Sequence, residues 1–314
     1  MTAVDGERKA LKEEAVEGDE DMIPIGGIIP ALVTPFDESG VFAERQFELL
    51  LERVYTSAID GVYVCGSTGE GLLQSVEQRK RVAEVAVRNS PRGKLVIVHT
   101  GAVCTSDAIE LTRHAARVGA AAVSSLPPCG NYSFEEVRAY YLELASVADI
   151  PFLVYYFPAV SSAIKSASQI VELCSLPNVI GLKFTDYDLY TLSLIRDTGA
   201  IVLNGYDEVL VASLLMGACG GIGSFYNLIP ELFIKVYLFS KTNQWAEARE
   251  AQGKINELIR LATRYPCVPA VKTILRWSGI DCGDCLEPRR KLTAEEEFEL
   301  RQALLASSFA YLVR

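Results

Sequence analysis

The chain has 314 residues, half of them hydrophobic and 22% charged, with 30 basic against 40 acidic side chains and a net charge of −10. That length suits one large α/β barrel or two ordinary domains, and the apolar share is enough for a packed core, which excludes wholesale disorder. The acidic balance argues against nucleic acid or an anionic membrane as a partner, and no apolar run approaches the ~18 residues that span a bilayer.

Residues 1–22 hold eight acids and three bases, so half of the net charge lies in a short segment with few large apolar residues. A disordered acidic tail is expected there. It lacks the apolar stretch of a secretion signal and is too acidic for a mitochondrial presequence, so a cytoplasmic protein is expected. From residue 26 short β-branched runs alternate with amphipathic stretches. Strands are predicted at 28–34, 61–66, 94–100, 121–126, 152–157, 179–185, 200–205 and 220–225. Helical patterns at 43–58, 75–89, 106–118, 134–147, 166–176, 188–197 and 209–216 fall between them. Eight near-continuous apolar strands, each followed by a helix, describe a parallel sheet buried on both faces. The α/β class is therefore expected, as a (β/α)8 TIM barrel over residues 23–228. Further helices at 230–240, 245–263, 270–279 and 294–312 predict a C-terminal helical extension over 229–314.

In such a barrel the chemistry sits where strands end. The second strand runs into Gly66-Ser67-Thr68-Gly69-Glu70. Two readings stand: backbone amides and hydroxyls for a carboxylate or phosphate, or a helix-capping turn with Glu70 in the first turn. The fifth strand ends Tyr155-Tyr156-Phe157-Pro158, and adjacent strand residues face opposite ways, so one phenol enters the barrel as proton relay or as core filler. On the sixth strand Gly181, Lys183 and Thr185 share one face, while Ile180, Leu182 and Phe184 share the other. The apolar set suits packing on helices, which turns Lys183 inward. An amine held there loses water and becomes a nucleophile for a carbonyl carbon; the alternative is a Lys stem snorkelling at a strand end. Asp207 and Glu208 after the seventh strand suit sugar hydroxyls as acceptors, or cap the next helix. The eighth strand supplies Gly223-Ser224.

No metal constellation is legible: His99 and His114 are far apart, and the one tight cysteine pair, Cys282-Gly-Asp-Cys285, lacks the partners a zinc site needs. All eight cysteines read as buried or loop thiols in a reducing compartment. An amine nucleophile working without metal is the chemistry the residues support best.

Together the Gly66–Glu70 turn, Tyr155-x-x-Pro158, Gly181-Leu-Lys183-Phe-Thr185 and the Thr34-Pro35-Phe36 entry resemble the dihydrodipicolinate synthase/N-acetylneuraminate lyase family of class I aldolases. The likeness covers about residues 26–290. Pro158-Ala-Val160, Asn204-Gly-Tyr-Asp-Glu208 and Gly221-Ile-Gly-Ser224 resemble the lyase branch. The synthase branch places an arginine where Val160 stands. The resemblance implies that Lys183 forms a Schiff base with a 2-keto acid, with no cofactor, and that Tyr155 moves the proton of the C4 hydroxyl. It implies that Ser67 and Thr68 bind the 1-carboxylate, and that Gly205, Asp207, Glu208 and Ser224 hold the polyol end of a sugar acid. N-acetylneuraminate is the expected substrate and a homotetramer the expected assembly. The same chemistry on another 2-keto-3-deoxy or 4-hydroxy-2-oxo acid is the alternative, followed by dihydrodipicolinate synthesis or a non-catalytic keto-acid-binding barrel. Two stretches depart from the family pattern. Cys129-Gly130-Asn131 stands where phenols are usual, with Tyr132 as a shifted substitute, and Ser162 replaces a frequent glycine.

Overall fold

The computed structural model describes residues 25–313, and the acidic segment 1–22 lies outside them. Eight parallel strands form one sheet: β1 (Gly27–Pro30), β2 (Gly61–Val64), β3 (Leu95–His99), β4 (Ala122–Ser125), β5 (Phe152–Tyr156), β6 (Val179–Phe184), β7 (Ile201–Asn204) and β8 (Gly220–Gly223). Neighbours follow chain order, and β8 returns to pair with β1 in parallel. The remaining seam, between β1 and β2, is closed by a bridge of Ala31 to Tyr63 and by the Leu32 amide donating to the Tyr63 carbonyl at 2.9 Å. The expected barrel is therefore the fold.

Helices follow the strands in turn: α1 (Glu44–Tyr55), α2 (Val76–Arg88), α3 (Thr105–Arg117), α4 (Phe134–Ser146), α5 (Ala167–Cys174), α6 (Leu189–Arg196), α7 (Leu210–Leu215) and α8 (Pro230–Lys241). Their inner faces carry the periodic residues, as with Phe47, Leu50, Leu51 and Val54 on α1. Side-chain caps start several of them. Ser75 accepts from the Gln78 amide ahead of α2, and Ser133 with Glu136 forms a capping box for α4. Then come α9 (Trp245–Ala262), α10 (Cys267–Trp277) and α11 (Ala294–Leu305). The predicted 270–279 helix begins earlier, at Cys267, because Pro269 falls in the first turn, where the amide it lacks has no helical acceptor. The predicted 294–312 helix ends at Leu305, and Ala310–Leu312 is a separate turn.

Two apolar layers result. Ile29, Tyr63, Ile97, Leu153, Leu203 and Ile222 fill the barrel interior, and a larger cluster joins the sheet exterior to the helices. Leu182 and Phe184 belong to the outer layer as expected, but Ile180 packs on the interior cluster. A register shift in the β5/β6 ladder explains this, since the added residue turns the pleat over below Gly181. At Gly181, with φ +155°, an added Cβ would stand 2.0 Å from the Ile201 carbonyl oxygen, so only glycine fits.

Candidate active site

A cleft of about 400 Å³ opens at the C-terminal ends of the strands. Lys183, Tyr155, Ser67, Thr68, Gly205, Asp207, Glu208 and Ser224, all eight residues expected from sequence, line it. A second hollow of about 490 Å³ opens by Ile25, Lys94 and Ile201 at the strands' N-terminal ends. It holds none of these eight residues.

The β5/β6 ladder pairs Tyr155 with Lys183, so both point into the barrel from neighbouring strands. Lys183 is 4% exposed, and its Nζ lies 4.2 Å from the Tyr155 ring centre and 4.8 Å from that of Tyr63. Tyr156 takes the outer side, stacking on Phe184 and donating to Asp186 at 3.4 Å, so of the two adjacent strand tyrosines it is Tyr155 that enters the cleft. Beneath them, His99 meets Tyr155 edge-on at 6.1 Å. Its Nε2 accepts from the Leu126 amide at 3.1 Å, and Arg79 Nη2 stands 3.4 Å from Nδ1 while donating to the His99 carbonyl at 2.8 Å. Burial, with the charges of Arg79 and Lys183, holds the imidazole well below its ordinary pKa and therefore neutral. The Tyr63 hydroxyl and Ser124 Oγ are buried nearby, within reach of each other.

The Gly66–Glu70 turn does not cap a helix. Glu70 adopts a left-handed conformation (φ 56°) before a short 3-10 turn, and α2 starts later, at Val76. The turn closes through the Gly71 amide to the Gly66 carbonyl at 3.0 Å. Among the described residues the Ser67 and Thr68 amides have no intramolecular acceptor, as an anion-binding turn requires. Thr68 Oγ1 lies 2.7 Å from Ser224 Oγ, joining the loops after β2 and β8.

Asp207 and Glu208 do not cap α7 either. Asp207 Oδ2 accepts from the Phe225 amide at 2.7 Å, bracing the loop after β8. Burial pushes its carboxyl up to about 7; the Phe225 amide opposes this, Glu208 adds to it, and Lys183 offsets part. Glu208 accepts from the Tyr187 hydroxyl, and Tyr187 stacks on Tyr206 with ring centres 4.4 Å apart. From α9, Gln252 and Asn256 donate to the Asp207 and Glu208 carbonyls at 3.0 and 3.1 Å. Gly205 is needed for close approach: a Cβ there would lie 1.9 Å from Thr185 Oγ1. That hydroxyl lines the cleft, buried and without a partner among the described residues.

Sequence reasoning left several lining residues without a role. Thr185 carried a signal, since it shares the inward face of Lys183. Phe157 and Tyr206 are loop aromatics; Thr263, Cys267 and Arg289 come from beyond the barrel. Strand periodicity contains no sign of these. Tyr132, the shifted phenol, is exposed and does not line the cleft, and Cys129 and Asn131 are exposed beside it. Cys282 and Cys285 are free thiols, each pushed up to about 12 by burial, and neither lines the cleft.

Residues 24–307 match the dihydrodipicolinate synthetase family. The chain belongs to that family. An N-acetylneuraminate lyase of Rhizobium meliloti (strain 1021) is 39% identical over 282 residues, covering 88% of this chain and 94% of that relative. The solved N-acetylneuraminate lyase of Aliivibrio salmonicida superposes with a TM-score of 0.85 at 29% identity, over 92% of this chain and 98% of that one. A solved dihydrodipicolinate synthase superposes almost as well, with a TM-score of 0.84 at 26% identity, over 90% of this chain and 99% of that one. Backbone shape is thus shared by both branches of the family, and the cleft side chains must separate them.

Proposed function

We propose that this protein is a class I aldolase that cleaves N-acetylneuraminate to pyruvate and N-acetylmannosamine. The observation that carries the reading is the Tyr155–Lys183 pair, set between the Ser67–Thr68 turn and an Asp207–Glu208 wall. In this reading Ser67 and Thr68 hold the 1-carboxylate and place C2 against Lys183 Nζ. The amine adds to the carbonyl, water leaves, and a Schiff base forms. Tyr155 accepts the C4 hydroxyl proton as the C3–C4 bond breaks, and its electron pair passes into the iminium, giving an enamine and the released aldehyde. Protonation at C3 and hydrolysis return pyruvate and the free lysine. Thr185, Gly205, Asp207, Glu208 and Ser224 meet the hydroxyls of the sugar chain. The protein acts on a small molecule, and the assembly we propose is a homotetramer.

Val160 is half exposed and apolar, so it offers no fork for a second carboxylate, which disfavours dihydrodipicolinate synthesis. The exposed Cys129-Gly130-Asn131 segment, which brings no phenol to the cleft, favours one second reading: the same chemistry on another 2-keto-3-deoxy sugar acid. A panel of such acids, assayed for pyruvate release with the wild type and Lys183→Ala, tests both. Lysine-dependent release from N-acetylneuraminate supports the first reading. Release only from another acid overturns it in favour of the second.

A further inference from the structure

We infer that Arg289 is the cation that draws the substrate carboxylate to the Ser67–Thr68 turn, and so sets affinity for the keto acid. The inference rests on the lyase reading above and adds a binding residue to it. Four charged side chains line the cleft: Lys183, Asp207, Glu208 and Arg289. Lys183 must be neutral to attack a carbonyl, and two carboxyl groups on one wall repel an incoming acid. Ser67 and Thr68 themselves offer dipoles but no charge. Without Arg289, the one cationic side chain lining the cleft among the described residues would be Lys183, which this reading directs at the keto carbon and not at the carboxylate.

The guanidinium stands at the turn, where Nη2 donates to the Ser67 carbonyl at 3.4 Å. Its neighbours are engaged elsewhere: Arg290 forks onto Glu296 at 2.6 and 2.8 Å, and Lys291 pairs with Asp284 at 3.4 Å. Among the described residues Arg289 has no carboxylate partner. The position of Arg289 depends on how the 282–292 segment is tied down.

That tie is a buried charge pair. Glu70 ends the same turn that carries Ser67 and Thr68, and its Oε1 lies 2.8 Å from Lys272 Nζ of α10, both side chains almost fully buried. Glu70 Oε2 accepts from the Leu286 amide at 2.8 Å, and Lys272 donates to the Asp284 carbonyl at 2.9 Å. The Phe36 amide holds the Cys282 carbonyl at 3.1 Å, and the Arg289 amide turns back onto Leu286 at 3.0 Å. Glu70 and Lys272 are therefore positioning residues that fix Arg289 beside the turn.

The test compares wild type, Arg289→Gln and Arg289→Lys by borohydride trapping of pyruvate on Lys183 over a range of pyruvate concentrations, at low and moderate salt. Cleavage kinetics on the best substrate are measured in parallel. Arg289 is exposed, so both variants should keep the wild-type melting temperature. Arg289→Gln is expected to raise half-saturating pyruvate about tenfold, to raise KM for the sugar acid by a similar factor with a much smaller effect on kcat, and to flatten the salt dependence. Arg289→Lys should recover part of the loss. Unchanged half-saturation and salt dependence in Arg289→Gln would overturn the assignment. So would a KM change confined to the sugar acid, which would place Arg289 at the other end of the substrate. If wild type itself traps no pyruvate, the lyase reading falls, and this inference with it.

Discussion

Lys183 and Tyr155 are register partners on neighbouring strands, and the lysine Nζ sits 4.2 Å from the centre of the phenol ring. The ring face therefore packs the amine, while the hydroxyl is left for the proton transfer proposed above. These two functions are separable. Tyr155→Phe keeps the packing and should still trap pyruvate on Lys183, while C–C cleavage falls by about a hundredfold or more. Lys183→Ala should lose both. Mass spectrometry of the trapped peptide, set beside pyruvate-release rates, separates the cases; equal loss in both assays for Tyr155→Phe would contradict the division.

Asp207 gives a pH prediction of definite sign. Burial raises its carboxyl from 3.8 to about 7. The folded chain then holds a proton that the unfolded chain releases, so this group's contribution to stability falls as pH rises from about 4 to 7 and is lowest above 7. Asparagine keeps an oxygen to accept from the Phe225 amide and cannot ionise. Asp207→Asn should be more stable than wild type at pH 8, by up to about 4 kcal/mol, with the two converging near pH 4. Denaturant unfolding at several pH values checks it; parallel curves would mean that Asp207 is not desolvated as described.

The Glu70–Lys272 pair should show the asymmetry of buried charges. Oε1 approaches Nζ at 2.8 Å without hydrogen-bond geometry, so the contact is chiefly charge on charge. Lys272→Met leaves a buried carboxylate without its cation and should cost about 3–5 kcal/mol. Adding Glu70→Gln should restore a large part of that, as measured by urea unfolding. Additive losses in the double variant would show that the pair is not coupled.

Gly181→Ala tests the bulge that aims Lys183. Its Cβ would meet backbone, not a movable side chain, 2.0 Å from the Ile201 oxygen, at a φ that alanine rarely adopts. Soluble yield should drop sharply, and any folded fraction should trap pyruvate poorly. Full yield with normal trapping would show that β6 tolerates a regular pleat.

Much of this architecture was legible before any coordinates. Alternating apolar runs and 3.6-residue helical patterns report burial, which is a local property of each segment, so the eight strands and the inward Lys183 followed from sequence. The resemblance of a few short motifs then supplied the roles of Lys183, Tyr155 and the Ser67–Thr68 turn. Which loop ends meet above the barrel is set by closure and by long-range packing, and neither leaves a periodic trace. Ala31 and Tyr63 close the last seam. Ile180 turns inward only because the β5/β6 register slips. Arg289 reaches Ser67 across 222 positions of sequence, held by a buried Glu70–Lys272 contact that no spacing rule contains. Local patterning thus encodes the scaffold and its inward lysine; closure of the barrel selects the charges around them, because those charges come from segments far apart in the chain.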